Sequence, residues 1–489
     1  MIIFQYKIGI IIIMEKGGLS MKQTLGLIVG SRGFFPDWLA KEGREIIMAR
    51  LKEWGYDVVV LSPEDTKHGA VQTWEDAQKC AALFDESRKK ISGIIITLPN
   101  FGEEKAIADT IRLSGLNVPV LVHAFPDKTS ALDVHNRRDS FCGKLSICNN
   151  LKQYNIPFTL TSEHTENPDS TIFKEDISTF AGVCRIVKGF KNLKAGAIGA
   201  RPNAFNTVRY SEKILEDSGI SVEVIDLSEI IARANKLTDS DTKVINKIND
   251  IHNNINTTGV PEISLVKMAK LWLVLDEWIR ETGIKLFAFQ CWSSIQENFG
   301  IMPCAVMSMF SDNLIPAACE VDLTGGLAMY ALQLASGKPS ALVDWNNNVD
   351  DDPNKAILFH CSNYPKSCLE DFRMGYGDII STSAVSKDQA YGTCYGTIPM
   401  GSITIARLAT DDITGSITAY LAEGHITADK FPTFGGIGVV EIEDLQDLLA
   451  FICENGFEHH AAINLSHSAD IVFEAFNKYL GFDTYWHNA

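Results

Sequence analysis

Two successive series of apolar strands alternating with amphipathic helices, then a stretch of short β-rich runs, predict an α/β protein. Its expected architecture is two Rossmann-like parallel-sheet domains followed by a β-rich C-terminal domain, at residues 21–160, 161–340 and 341–489. Length agrees, since 489 residues suffice for two to four domains with large cores. So does composition, with 46 % apolar residues and no low-complexity segment.

In the first unit Thr24-Leu-Gly-Leu-Ile-Val-Gly reads as a strand, and a helix follows over 36–54. A strand at 57–61, a helix at 74–89, a strand at 93–98, a helix at 103–114 and a strand at 118–123 complete the unit. The second unit opens with a strand at 195–200, a helix over 205–217 and a strand at 221–226. A long helix over 261–282 precedes a strand at 285–290, and the two strands after it close at Glu320 and Asp344. Beyond about residue 345 the runs at 356–361, 397–407 and 436–442 suggest more antiparallel pairing. No repeat at solenoid periods is present.

The net charge of −17, with no Lys/Arg-rich run, argues against a nucleic-acid partner and favours small neutral or cation-bridged ligands. Eleven cysteines are scattered singly without a Cys-x-x-Cys, the pattern of buried reduced thiols in a cytosol. The apolar segment from Met1 to Met14 is too short to cross a bilayer, and no small-residue cleavage site follows it. Lys16-Gly17-Gly18, just ahead of Met21, matches what a ribosome-binding sequence would encode. Residues 1–20 are therefore expected to be a mis-assigned extension, with translation starting at Met21. With them set aside there is no targeting signal or membrane segment, and the expectation is a cytoplasmic protein.

Glu320 and Asp344 lie 24 residues apart, each at an expected strand end. In open α/β sheets ligands bind outside the carboxyl ends of the strands, so both share a rim with Gln290. Far downstream His459-His460-Ala-Ala-Ile-Asn-Leu-Ser-His467 supplies imidazoles, and His360 ends another β run. Two carboxylates with one nitrogen suit Mn²⁺ or Mg²⁺ better than Zn²⁺ or copper. Each residue also has a structural reading. Glu320 fits the N-cap region of a helix beginning at Asp322, Asp344 a turn beside the asparagines at 346–348, and the histidines ordinary core or surface positions. Adjacent strand residues face opposite ways, so at most one of His459 and His460 is expected at the site.

Two loops stand beside these residues. Gly199-Ala-Arg-Pro-Asn-Ala-Phe-Asn-Thr follows a strand and matches neither a dinucleotide fingerprint nor a Walker pattern. It is either a substrate-facing loop carrying Arg201 or an ordinary surface turn. His135-Asn-Arg-Arg-Asp-Ser-Phe-Cys-Gly-Lys is a charged run that reads as a solvated face, an oligomer contact or a site wall.

Glu320 in Ala-Ala-Cys-Glu-Val-Asp-Leu-Thr-Gly, Asp344 in Leu-Val-Asp-Trp-Asn-Asn and His460 in His-Ala-Ala-Ile-Asn-Leu-Ser-His resemble the L-fucose isomerase family, with the L-arabinose isomerases as more distant relatives. The resemblance covers nearly all of residues 21–489. The Arg201 loop, the charged run and Phe289-Gln-Cys-Trp are similar to shorter bacterial members. It implies three domains and a Mn²⁺, with Mg²⁺ or Co²⁺ as substitutes, held by Glu320, Asp344 and His460. It also implies a homo-oligomer, trimer or hexamer, whose sites are completed by a neighbouring subunit's N-terminal domain. The implied reaction is aldose–ketose isomerisation of an open-chain sugar through a cis-enediol, with Glu320 and Asp344 as ligands and acid/base groups. Gln290, Trp292, His360, His459 and Arg201 are then the expected substrate contacts. An L-fucose or D-arabinose type of sugar is the default. The alternative is the 6-sulfonated sugar sulfoquinovose, whose sulfonate calls for Arg137, Arg138, Lys144 or Arg201. Two other classes fit the same residues: a metal-assisted hydrolase or aldolase, and a non-catalytic sugar-binding protein.

Overall fold

The computed structural model describes residues 23–361, 363–383 and 385–488, so the expected start at Met21 lies outside the described residues. The first sheet holds β1 (Thr24–Val29), β2 (Asp57–Val59), β3 (Ile91–Leu98), β4 (Val120–Ala124) and β5 (Thr159–Leu160). All are parallel, in the order β2-β1-β3-β4-β5. The second is parallel too, with β6 (Leu193–Ile198), β7 (Ile220–Ile225), β8 (Leu286–Phe289) and β9 (Ala317–Cys319) in the order β7-β6-β8-β9. Buried on both faces by helices, their central strands are continuous Ile/Val/Leu/Ala runs.

The third sheet comprises β10 (Ser340–Val349), β11 (Asp352–His360), β12 (Glu370–Tyr376), β13 (Tyr391–Thr397), β14 (Gly401–Asp411), β15 (Ser416–Ile426), β16 (Gly436–Glu441), β17 (His460–Asn464) and β18 (Asp483–His487). Its pairings close a ring of six antiparallel strands, β16-β11-β10-β17-β14-β15, which returns to β16 through His425–Glu441 and Ile426–Val440. Closure leaves the six ring strands without a free edge, while β13 with β12, and β18, attach outside the ring. The α/β class and the β-rich C-terminal region are as expected from the sequence.

One helix joins the parts. Leu323–Ser336 is apolar on every face and almost wholly buried, wedged between the second sheet and the barrel. Its last carbonyls are capped from outside, Arg185 donating to Leu334 O and Ala335 O at 2.6 Å each. Arg185 belongs to the helix Thr171–Phe190, whose Phe180 and Cys184 pack against the side-chain-free face of Gly93 on β3.

Local expectations fail in places. The helix read over 205–217 is a short 3₁₀ turn, Asn206–Val208, and a separate helix, Glu212–Asp217. The break follows from an extended Arg209 and from Ser211 N donating to Thr410 Oγ1 on β14 at 2.9 Å. Asp344 does not end a strand. It is the fifth residue of β10, which continues through the asparagines at 346–348 with a register irregularity against β11. The run at 397–407 is two strands, split at Pro399 because proline cannot donate to a ladder. Among the described residues no helix is long and apolar enough to cross a membrane.

The loop after β5 is clasped to the first sheet by buried polar groups. Lys144 donates from Nζ to Thr161 Oγ1 at 2.7 Å and to the carbonyls of Glu163 and His164 at 3.3 and 3.2 Å. His123 bridges Thr97 Oγ1 and the Glu166 carbonyl, both at 2.9 Å, and burial drives its imidazole down to about 3, so it stays neutral. Burial, with Asp176 beside it, pushes the Glu166 carboxyl up to about 7. A carboxyl raised above its unfolded value of 4.5 stabilises the fold fully below that value and loses the effect as pH rises through 7. Urea unfolding at about pH 5 and about pH 8 is expected to show wild type losing stability between the two and Glu166→Gln losing less. Equal losses would remove Glu166 as the cause.

Candidate active site

β9 is short, and the chain leaves it through two consecutive left-handed residues, Glu320 (φ 62°) and Val321 (φ 59°). Such positions cost of order 1–3 kcal/mol each for non-glycine residues and persist only where the surroundings over-determine them. Here Val321 N donates to Phe289 O at 3.3 Å and Asp322 N to Cys319 O at 2.9 Å. Asp322 then caps the central helix, accepting from Gly325 N at 2.9 Å. The reversal swings the Glu320 carboxylate off the sheet and toward the barrel.

From the barrel side, Asp344 on β10 and His460 on β17 are direct cross-strand partners, so both side chains project to the same face. His460 Nε2 lies 3.0 Å from Glu320 Oε2 and 3.4 Å from Asp344 Oδ1. His460 Nδ1 meets Asp322 Oδ2 at 2.9 Å. Trp292 donates from Nε1 to Glu320 Oε1 at 2.9 Å. The completely buried Arg407 on β14 pairs with Asp322 at 2.5 and 3.0 Å and donates from Nε to Glu458 Oε2 at 2.9 Å.

Burial would raise the Asp322 carboxyl, but the Arg407 charge and the His460 contact outweigh it and hold it far below the usual range. Burial would likewise lower His460, yet Asp322 and Glu320 push it up to about 10. Burial depresses His360, which remains neutral.

The structure brings Glu320, Asp344 and His460 together and adds His360 and His459. Donor atoms of Glu320, His360 and His460 lie within 4.8 Å of one another, as do those of Asp344, His459 and His460. The expectation that only one of the adjacent histidines reaches the site is corrected. β17 starts at His460, so His459 is free of strand alternation, and its Nε2 stands 3.6 Å from Asp344 Oδ1. Trp292 is in place. Gln290 instead turns its Oε1 to Ala200 N at 3.1 Å and lines a neighbouring cleft of about 660 Å³ above β6 and β7. Arg201 folds onto its own loop, donating to the carbonyls of Pro202 and Asn203. That loop sends Phe205 to the site, edge-on to Trp292 at 5.3 Å and to His459 at 5.7 Å between ring centroids. Sequence reading missed Asp322, Arg407, Glu458 and Phe205 as site residues. An arginine inside the apolar strand pattern Ile-Thr-Ile-Ala-Arg-Leu-Ala was the one available signal.

These residues fit a divalent cation. His360 Nδ1 is buried without a hydrogen-bond partner, and Glu320 Oε2 is met by His460 Nε2 at 3.0 Å, as donors facing a shared ion would be. The imidazole count exceeds the one nitrogen read from the sequence, which moves the preference from Mg²⁺ toward Mn²⁺ or Co²⁺.

Fold and site together define an α/β protein whose carboxylate–imidazole centre lies where a parallel sheet meets an antiparallel barrel. Family models for the "Fucose/sulfoquinovose isomerase, N-terminal domain" and the "L-fucose isomerase, C-terminal domain" match residues 26–191 and 358–487. The chain belongs to the fucose/sulfoquinovose isomerase family. A protein named sulfoquinovose isomerase from Priestia aryabhattai is 25 % identical over 227 residues, 46 % of this chain and 50 % of that one. Another of that name, from Alkalicoccus urumqiensis, is 22 % identical over 300 residues, 61 % of this chain and 66 % of that one. The chain thus spans about half to two thirds of the length of these relatives. A glucose-galactose binding protein from Geobacillus stearothermophilus aligns at 14 % identity over 65 % of this chain and 92 % of that one, with a TM-score of 0.15, too slight a likeness to carry fold or function.

A cation that binds only the folded site stabilises by mass action, about 2.7 kcal/mol at a hundredfold excess over Kd. Mn²⁺ added to EDTA-stripped protein is therefore expected to raise the melting temperature, and His460→Ala to abolish most of the rise. An unchanged melting curve in wild type would refute a resident cation.

Proposed function

We propose that this chain is a metal-dependent aldose–ketose isomerase acting through a cis-enediol on the 6-sulfonated hexose sulfoquinovose, with Mn²⁺ first among the cations. The observation that carries the proposal is the convergence of the donor atoms of Glu320, Asp344 and His460, beside the buried and unpartnered His360 Nδ1, in a chain of this family. The names of the relatives favour sulfoquinovose over the L-fucose default.

Glu320, Asp344 and His460 would hold the cation, with His360 as a fourth donor, and it would supply Lewis-acid polarisation of the sugar's O1 and O2. One carboxylate takes the C2 proton, and the C2–H electrons form the C1=C2 bond while O1 gains a proton. The reverse flow rebuilds the carbonyl at C2 as O2 loses its proton and C1 is protonated. Glu320 is nearly buried and tied to Trp292, whereas Asp344 is about a quarter exposed. Carboxylates in such different surroundings can divide acid and base work. Phe205 and Trp292 wall the site against water.

A sulfonate needs a cation. Arg138 is spent on Glu42 and the Pro99 carbonyl, Arg137 on Asp139, and Lys144 on the clasp described above. Among the described residues no carboxylate lies within 4.0 Å of Arg201, on the loop that carries Phe205, which supports Arg201 as the sulfonate partner. Assembly as a trimer or hexamer and residence in the cytoplasm belong to the same proposal.

Glu320→Gln keeps the side chain's volume and removes its charge, so turnover is expected to fall by about 10²–10⁴-fold with the fold intact by circular dichroism. Mn²⁺-loaded enzyme offered sulfoquinovose, L-fucose and D-arabinose is expected to prefer the sulfonated sugar and give a ketose of unchanged mass. Arg201→Ala should cut kcat/KM on that sugar by roughly 10–100-fold, the worth of a charge-assisted hydrogen bond, and spare the others. A better rate on L-fucose would overturn the sugar assignment, and a product of altered mass the isomerase itself.

A further inference from the structure

We infer that Asp322, locked by Arg407, is the positioning residue that aims His460 Nε2 at the cation site and thereby sets how tightly the cation is held. The inference rests on the metal reading above. Asp322 has an adequate structural job as helix cap, but that job uses one oxygen. Its Oδ1 accepts from Gly325 N at 2.9 Å, while Oδ2 serves His460 Nδ1 at 2.9 Å and Arg407 Nη1 at 2.5 Å. A serine or asparagine would cap as well without placing a charge in the core.

The rest of the pair has no surface role. Arg407 and Asp322 are both completely buried, and the guanidinium's remaining N–H groups go to Glu458 Oε2, Asp322 Oδ1 and Thr324 Oγ1 at 2.9, 3.0 and 3.0 Å. Buried ion pairs of this kind are poor stabilisers compared with apolar residues of the same volume, so another reason for their presence is needed. Geometry supplies it. A carboxylate can only accept, so the hydrogen of the shared contact sits on His460 Nδ1, and Nε2, which faces Glu320 and Asp344, is the nitrogen left to offer a lone pair to a cation once its own proton is lost. Carboxylate partners on the far nitrogen of a ligating histidine fix ring and tautomer, and their loss typically costs 10–100-fold in metal affinity. Asp322 reaches no donor cluster directly and acts through His460 alone.

The test is Mn²⁺ titration of EDTA-stripped full-length protein by calorimetry, with electron spin-echo spectroscopy reading the nitrogen bound to Mn²⁺. Asp322→Asn is expected to weaken binding by about 10–100-fold and to alter the imidazole nitrogen signal. Arg185→Gln, which removes the cap at the far end of the same helix and touches neither Asp322 nor His460, controls for general destabilisation and should lower the melting temperature without weakening the metal. Asp322→Asn leaves Arg407 with Glu458 as its one charged partner, so Asp322→Asn/Arg407→Gln removes both charges of the pair and guards against unfolding of the core. That double variant should also bind weakly. Wild-type affinity and nitrogen signal in either folded variant would overturn the inference, as would failure of both to fold, which makes the pair purely structural. A wild-type protein that binds no Mn²⁺ would instead sink the metal reading itself.

Discussion

The buried Arg407–Asp322 pair is the constraint on which the rest of the site depends. It joins β14 of the barrel to the N-cap of the central helix, and through Glu458 it reaches the segment entering β17. Removing one partner of such a pair typically costs about 3–5 kcal/mol, because the other charge is stranded without water. Its neighbours show the accommodation. Gly325 has no Cβ because one would strike both Asp322 and Arg407, and Thr324 turns its hydroxyl to the guanidinium. Once the pair forms, helix, barrel and His460 have a single relative placement.

Glu320 depends on that placement. A strand that ended normally would leave its last side chain beside the sheet, and the two left-handed residues instead throw it across to the barrel. The strain is affordable only because the turn is pinned at both ends, to β8 by Val321 and into the helix by Asp322. Glu320, Asp344 and His460 thus come from three sources, a distorted turn, the middle of β10 and the first residue of β17, and His360 adds a fourth from the end of β11.

This explains what was legible in the sequence. The parallel strands were readable because burial on both faces makes them uninterrupted apolar runs, and Glu320, Asp344 and His460 because charged residues in apolar surroundings demand partners. Asp344 was placed at a strand end for the wrong reason, since asparagines resemble a turn until the β11 ladder holds them extended. The alternation rule that admitted only one of His459 and His460 to the site applies only inside a strand, and His459 precedes β17. Asp322, Arg407 and Phe205 were hidden because each acts through a contact between segments dozens of residues apart, and no local pattern records such a contact. The Thr171–Phe190 helix, apolar enough to be found, went unread between two stronger strand–helix series.

Charge balance ties these parts to the chemistry. Four carboxylates share this region with one guanidinium: Asp322 and Glu458 pair with Arg407, Glu320 and Asp344 stand by His460, and three of those acids are nearly or fully buried. Such a surplus is costly unless compensated. Without a cation the compensation falls to His460, which explains why its imidazole holds a proton up to about 10 despite burial. A divalent cation would answer the same field with twice the charge and would compete with that proton. The field also sets a limit on the substrate. Where it favours a cation it repels an anion, so a sulfonated sugar must lie with its reacting carbons toward the carboxylates and its sulfonate away from them, toward the Arg201 loop. On the proposed reading, cation and sulfonate would be held by groups of opposite charge, and the difference between them would orient the sugar.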